Sequence, residues 1–294
     1  MALLNDLEVV RPTTLAQALA HLRDAAERGQ PVRPMAGCTD LLVDAHFGKT
    51  MPPVLLDLSA LRQAIGGLRW REDGLHIGAM ASYADALADP KFVEQLPALA
   101  QASALVGATQ IQMRGTFAGN VENGSPAADA VPALMALDAA IVLQNQTNTR
   151  QVPLSEYYIG YRKTQRQVDE LITAIVIPQA AIGKKGQWFR KVGTRAYQAI
   201  TKVGIAAQLD WQGETLQGAK IVAISMAAST TRCPQLEQAM IGKTYAQLQG
   251  DLFRTAQTMD LKPIDDVRSN HCYRAEVFGR LLQEALRNTH QASA

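Results

Sequence analysis

In the stretch Arg33-Pro34-Met35-Ala36-Gly37-Cys38-Thr39-Asp40-Leu41-Leu42, a short extended run passes into small residues, then into a hydroxyl and a carboxylate that suit a helix start. Small residues at such a bend let backbone approach a ligand closely. The amides at the helix start then suit an anion such as a diphosphate. By itself the same run also fits an ordinary turn and cap. Working outward, Thr13 or Thr14 can cap a helix over Leu15 to Arg28, with Leu15, Ala18, Leu19 and Leu22 on one face and Gly29 as its stop. Pro31 to Met35 and Val54 to Leu58 read as strands, with a short helix from the Thr39 or Asp40 cap through Phe47 between them. The opening segment is therefore expected to be a small β-α-β unit.

Further along, Gly67 to Trp70 and Leu75 to Ala79 flank Arg71-Glu72-Asp73-Gly74, a hairpin pattern. Helices are expected over Tyr83 to Ala88 and Phe92 to Ala104, with a break or restart at Pro97. A polar stretch follows from Gly107 to Ser125, and Pro126 then suits the first position of a helix through Leu137. Strands are expected at Ala140 to Leu143, Leu171 to Ile177, Ile200 to Asp210 and Ile221 to Ala227. Pro178 to Gly186 reads as a linker, and helices are expected near Tyr245 to Met259 and Tyr273 to Leu286. The pattern is α+β in two domains.

A second stretch, Gln110-Ile111-Gln112-Met113-Arg114-Gly115-Thr116-Phe117-Ala118-Gly119-Asn120, continues to Asn123-Gly124-Ser125-Pro126-Ala127-Ala128-Asp129. Closely spaced glycines, amides, a hydroxyl and a carboxylate can wrap a polar cofactor, with Asp129 placed to accept from ribose hydroxyls. A long loop of turn residues and helix caps would have the same composition.

Composition removes several function classes. The 294 residues carry 29 basic and 27 acidic side chains, a formal net charge of +2, which lacks the basic footprint of a nucleic-acid binder. No apolar run approaches the roughly 20 residues of a membrane span, and the start, Met1 to Glu8, is too short and acidic for a signal peptide; a cytoplasmic location is expected. Cys38, Cys233 and Cys272 are too far apart in sequence for a C-x-x-C pair, and an odd number argues against a disulfide framework. The five histidines show no ligand spacing. There is no G-x-S-x-G, no G-x-x-x-x-G-K-[ST] and no G-x-G-x-x-G.

Taken together, the two stretches resemble the paired signatures A-G-G-T-D-L and T-I-G-G-N, followed by S-P-x-x-D, of the FAD-binding subunits of molybdenum hydroxylases, the xanthine dehydrogenase and carbon monoxide dehydrogenase group. The resemblance extends to Val106-Gly107, Gly160-Tyr161-Arg162-Lys163-Thr164, Asp169-Glu170-Leu171-Ile172, Lys191 to Lys202, and Asp266-Val267-Arg268-Ser269 with Tyr273-Arg274. It implies a FAD-binding domain of the vanillyl-alcohol-oxidase type over residues 1–178. A small C-terminal domain with an antiparallel sheet and helices is implied over residues 186–290.

The resemblance further implies that Pro34, Met35, Ala36, Gly37, Cys38, Thr39, Asp40 and Leu41 form one backbone cradle for the FAD diphosphate. Thr116, Phe117, Ala118, Gly119 and Asn120 form the other. Asp129 falls at the adenosine end, and Val106, Ile172 and Lys191 at positions lining the flavin or its ribityl chain. Two positions depart from the pattern: Cys38 replaces a second glycine, and Phe117-Ala118 replaces Ile-Gly. Where positive φ is required, a side chain costs about 1 kcal/mol or more.

By the same resemblance the chain is an oxidoreductase subunit that works in a hetero-oligomer. Electrons would pass from molybdenum through [2Fe-2S] centres to FAD and on to an external acceptor such as NAD. Separate iron–sulfur and molybdopterin subunits are expected as partners, and the branch read from Gly160 to Thr164 and the Lys191 loop is xanthine dehydrogenase-like. Lys191 and Arg195 are candidate cations beside the flavin, with solvated surface charges in a loop as the alternative; Tyr161-Arg162-Lys163 reads as an exposed turn, with an interface or flavin-side patch as the alternative. Two other functions stay open at the level of sequence: a stand-alone flavin oxidase of the vanillyl-alcohol-oxidase type, and a scaffold that has lost its cofactor.

Overall fold

The computed structural model describes residues 7–49, 51–249 and 260–293. Helix Leu15–Glu27 starts at a capping box, in which the Thr14 side chain accepts from the Gln17 amide while the Gln17 side chain reaches back to the cap. Its Ala18, Leu19, Leu22 and Ala25 are buried. It crosses between β1 (Glu8–Val10) and β2 (Val32–Met35), and helix Leu41–His46 crosses from β2 to β3 (Val54–Asp57). The three strands form a parallel sheet in the order β1-β3-β2, the β-α-β arrangement expected from the sequence.

The second sheet contains β4 (Leu68–Arg71), β5 (Gly74–Gly78), β6 (Ala140–Gln144), β7 (Thr149–Pro153) and β10 (Leu171–Pro178), in the order β4-β5-β10-β6-β7. Its pairings are antiparallel. Central β10 buries Ile175 and Ile177 completely. The β4–β5 hairpin closes with Arg71 opposite Gly74. A small hairpin, β8 (Tyr158–Gly160) and β9 (Lys163–Thr164), turns through Arg162 at φ 51°.

Between β5 and β6 lie short helices at Tyr83–Leu87, Pro90–Gln95, Pro97–Ala104, Thr109–Arg114, Phe117–Asn123 and Ala130–Ala136. Pro97 restarts the helical path, since proline supplies no donor to the turn before it. Two expectations are corrected here. The polar stretch 107–125 is not a loop but holds two helices. Pro126 precedes its helix by four residues, and the helix begins at Ala130 after Asp129.

The C-terminal sheet runs β11 (Gln187–Val192), β12 (Val203–Gln212), β13 (Thr215–Ile224) and β14 (Thr231–Arg232), all antiparallel and in sequence order. Alternation along β12 sends Ile205, Ala207 and Leu209 toward Phe278, Leu282, Ala285 and Leu286 of helix His271–Ser293. Ala206, with Phe189, Val222 and Ile224, instead joins the core that includes helix Ala130–Ala136. A strand buried on both faces reads as a continuous apolar run rather than an alternating one, and β12 starts at Val203 rather than Ile200.

The expected linker 178–186 is docked rather than free. It holds a 3₁₀ turn at Gln179–Ala181, the Gln179 amide donates to the Asp73 carbonyl, and the Gly183 amide donates to the Gln95 carbonyl. Of the helix expected near Tyr245–Met259, residues 245–249 form a turn and 250–259 lie outside the described residues.

Candidate functional site

Two bends meet across the fold. The first leaves β2 at Met35 and passes through Ala36, Gly37 and Cys38 into helix Leu41–His46, whose cap Asp40 makes no side-chain cap bond. The second leaves helix Thr109–Arg114 at Gly115 and enters helix Phe117–Asn123, where Thr116 Oγ1 accepts the Gly119 amide at 3.0 Å. Gly37 is required by proximity: a Cβ there would lie 1.9 Å from the Arg114 carbonyl oxygen and 3.1 Å from the Gly115 nitrogen. Arg114 Nε donates back to the Gly37 carbonyl at 3.5 Å. Sequence places the two bends 77 residues apart, and the fold closes them on each other.

They open onto a cavity of about 990 Å³. Of the residues singled out in the sequence, Pro34, Met35, Ala36, Gly37, Cys38, Thr39, Asp40, Leu41, Val106, Thr116, Ala118, Gly119, Asn120, Asp129 and Ile172 line it. Phe117 and Lys191 do not. The Phe117 ring is fully buried, packed at 4.6 Å against Tyr83 and 6.2 Å from Phe92, so only its backbone is near the bend.

Lys191 was expected beside a flavin. Its ammonium is instead spent on Asp129 Oδ2 at 2.6 Å, the Leu105 carbonyl at 3.0 Å and the Ala199 carbonyl at 3.2 Å. Thr201 Oγ1 donates to the other Asp129 oxygen at 2.7 Å. β11 thus fixes the carboxylate at the head of helix Ala130–Ala136. Arg195 is turned away, bonded to the Tyr197 and Gln198 carbonyls.

The two departures from the family pattern behave differently. Cys38 holds φ at 63°, left-handed backbone that glycine adopts freely. Ala118 sits inside a helix, where a methyl group is favourable.

The cavity wall is strongly charged. Burial pushes the Asp40 carboxyl up, with Arg162 and Arg33 opposing and Asp44 adding to the shift. Burial also raises Asp129, against the pull of Lys191 and Thr201. Asp44 is held low despite burial, because Lys49 and Arg162 pair with it. Sequence reasoning passed over Tyr83, Asp44, Glu122 and Arg166, and quoted Arg268 in a matching stretch without a site role; all five reach the wall. Tyr161 and Arg162 also reach it, so their hairpin is part of the site and not just an exposed turn.

Two buried atoms of wall residues, Asn120 Oδ1 and Tyr83 Oη, have no partner among the described residues. Such groups mark a place where a ligand completes the hydrogen bonding. A cavity at the upper end of the size range for cofactor sites, two side-chain-free bends and orphaned polar atoms together fit FAD.

Comparisons with known proteins agree with this geometry. Residues 5–180 match the family model of the FAD binding domain in molybdopterin dehydrogenase. Residues 188–289 match the carbon monoxide dehydrogenase flavoprotein C-terminal domain. The chain is 30% identical over 215 residues, 71% of each protein, to the nicotinate dehydrogenase FAD-subunit of Eubacterium barkeri. It is 26% identical to a putative xanthine dehydrogenase FAD-binding subunit of Escherichia coli, over 92% of this chain and 89% of that one. Among solved structures, a chain of the cyanide-inactivated Cu,Mo carbon monoxide dehydrogenase superposes with a TM-score of 0.88 at 25% identity, covering 97% of this chain and 98% of that one. With the family model covering more than half of its length and the bends that carry the signature closed on one cavity, this chain belongs to the FAD-binding subunits of the molybdenum hydroxylases.

Proposed function

We propose that the chain is the flavin relay of a hydroxylase complex, receiving electrons from iron–sulfur centres in one partner subunit and ultimately from a molybdopterin subunit. The observation that carries this reading is the closure of the Gly37 and Gly119 bends on one cavity. Bound FAD supplies the redox chemistry, taking up electrons and passing them to an external acceptor. The chain's own residues bind and orient. Backbone from Ala36 to Asp40 and the amides starting helix Phe117–Asn123 would hold the diphosphate. Arg162, Arg166 and Arg268 reach the wall as ion pairs with Asp44, Glu122 and Asp266.

Asp129, fixed by Lys191 and Thr201, keeps lone pairs for ribose hydroxyls. Residues 1–178 make the cofactor unit in this reading, and 186–290 the unit that holds Asp129 from behind. Within the family we propose a xanthine dehydrogenase-like parent, on the likeness of Gly160 to Thr164 and the Lys191 loop. No residue of the cavity assigns NAD as the acceptor, so the assay compares NAD with quinone, dye and oxygen.

The test is to purify the chain alone and with its partner subunits and to record visible spectra before and after adding substrate anaerobically. The expected result is a yellow protein whose flavin bleaches with hypoxanthine only when the partners are present. Turnover by the isolated chain would replace this reading with a stand-alone oxidase. A native protein that stays colourless and takes up no added FAD would make it a scaffold. Bleaching by a different substrate in the complete complex would remove the xanthine branch alone.

A further inference from the structure

Tyr83 lies under the seam between the two bends. Its amide donates to the Gly115 carbonyl at 3.3 Å, and its ring edge stands 3.3 Å from the position a Cβ on Gly115 would take. Phe117 packs against the same ring from the core, which fixes its direction. The side chain is 1% exposed, and its hydroxyl has no partner among the described residues. Asp40 and Asp129 are the charged groups that, after burial, push its phenol further up, so it remains a donor. A donor that water does not reach and the protein does not satisfy is an expensive feature of a core. Phenylalanine would fill the same space without that penalty. Tyr83 is one of the residues that line the cavity.

We propose that Tyr83 is a third contact for the cofactor diphosphate, donating its hydroxyl hydrogen to a phosphate oxygen where the Gly37 and Gly115 backbones meet. This rests on the flavin reading of the cavity and adds a residue that neither bend's signature contains. The role is one of binding and positioning, since no bond is made or broken at the phenol. On this proposal Tyr83 would meet the diphosphate rather than the isoalloxazine ring of the bound cofactor.

The experiment compares wild type with Tyr83→Phe, using flavin-stripped protein titrated with FAD, ADP and riboflavin, together with the melting temperature of each apoprotein. FAD and ADP share the diphosphate; riboflavin lacks it. The expected result is a loss of roughly tenfold to a hundredfold in affinity for both FAD and ADP, the range of a hydrogen bond to a charged group. Riboflavin binding stays unchanged, and the apoprotein melts at the same or a higher temperature, because an unsatisfied hydroxyl has been removed.

Equal FAD and ADP affinity in the variant overturns the proposal while leaving the flavoprotein reading intact. Loss for FAD and riboflavin but not ADP overturns it as well, by placing the ring over Tyr83. An apoprotein that melts lower than wild type, or does not fold, shows that the hydroxyl already has a partner, which also overturns it. Failure of the wild-type chain to bind either FAD or ADP strikes instead at the flavoprotein reading.

Discussion

Replacing Cys38 by glycine should stabilise the protein, while replacing Ala118 by glycine should destabilise it, although both restore the family's pattern. At Cys38 the backbone sits at φ 63°, where an L-residue costs about 1–2 kcal/mol. Glycine removes that strain but gives back about 0.5–1 kcal/mol of unfolded-chain entropy. The thiol's contact with the Ala36 carbonyl, at 3.7 Å, is long and weak and offsets little of this. The net gain for C38G is about 0.5–1 kcal/mol.

Ala118 is inside helix Phe117–Asn123 and buried. There glycine forfeits about 1 kcal/mol of helix propensity, together with its methyl's burial. Urea denaturation of the flavin-stripped single variants, with Cys38→Ala as a third, separates strain from side-chain chemistry. Cys38→Ala keeps the positive φ and should gain nothing. If C38G is destabilising, or if C38A stabilises as much as C38G does, left-handed strain at this bend is not what distinguishes the chain from its relatives.

Two further outcomes follow from the geometry of the site and its supports. Lys191→Met leaves the Asp129 carboxylate buried with only Thr201 for company, and should lower stability by about 3 kcal/mol; adding Asp129→Asn should recover part of it, and a thermal-denaturation cycle that finds the two effects simply additive removes the clamp. Glu170 is held low because, although burial pushes it up, Arg150 at 2.6 Å and the Gln167 amide at 2.8 Å outweigh burial. Its contribution is therefore present above the unfolded value near 4.5 and lost as pH falls through the folded one. Glu170→Gln should cost about 2 kcal/mol at neutral pH and flatten the acid limb of the stability profile, whereas an unchanged acid limb would show that the pair is not formed.

The sequence discloses what is local. The β2 bend, the cap at Thr14 and the Arg71–Gly74 turn each rest on residues a few positions apart, so pattern alone reaches them. Helices Thr109–Arg114 and Phe117–Asn123 escape because segments of six and seven residues are too short to hold a helix by propensity. Tertiary contacts hold them, the first against helix Tyr83–Leu87 and the second against helix Ala130–Ala136 and β10. Lys191 shows the limit of a transferred motif. Its position near the site was readable, but its engagement with Asp129 spans 62 residues and follows from how β11 docks. Tyr83 hides for the opposite reason: in a short amphipathic helix an aromatic reads as core, and most of it is core.

Phe189, Ala206, Val222 and Ile224 belong by sequence to the C-terminal sheet but fill the core beneath the cofactor half. The hinge between the halves is therefore a covalent formality. A protease that cut the 182–186 segment would yield two fragments that stay mated through a common interior. Expression of the first half alone would expose an oily socket rather than deliver a free-standing flavin module.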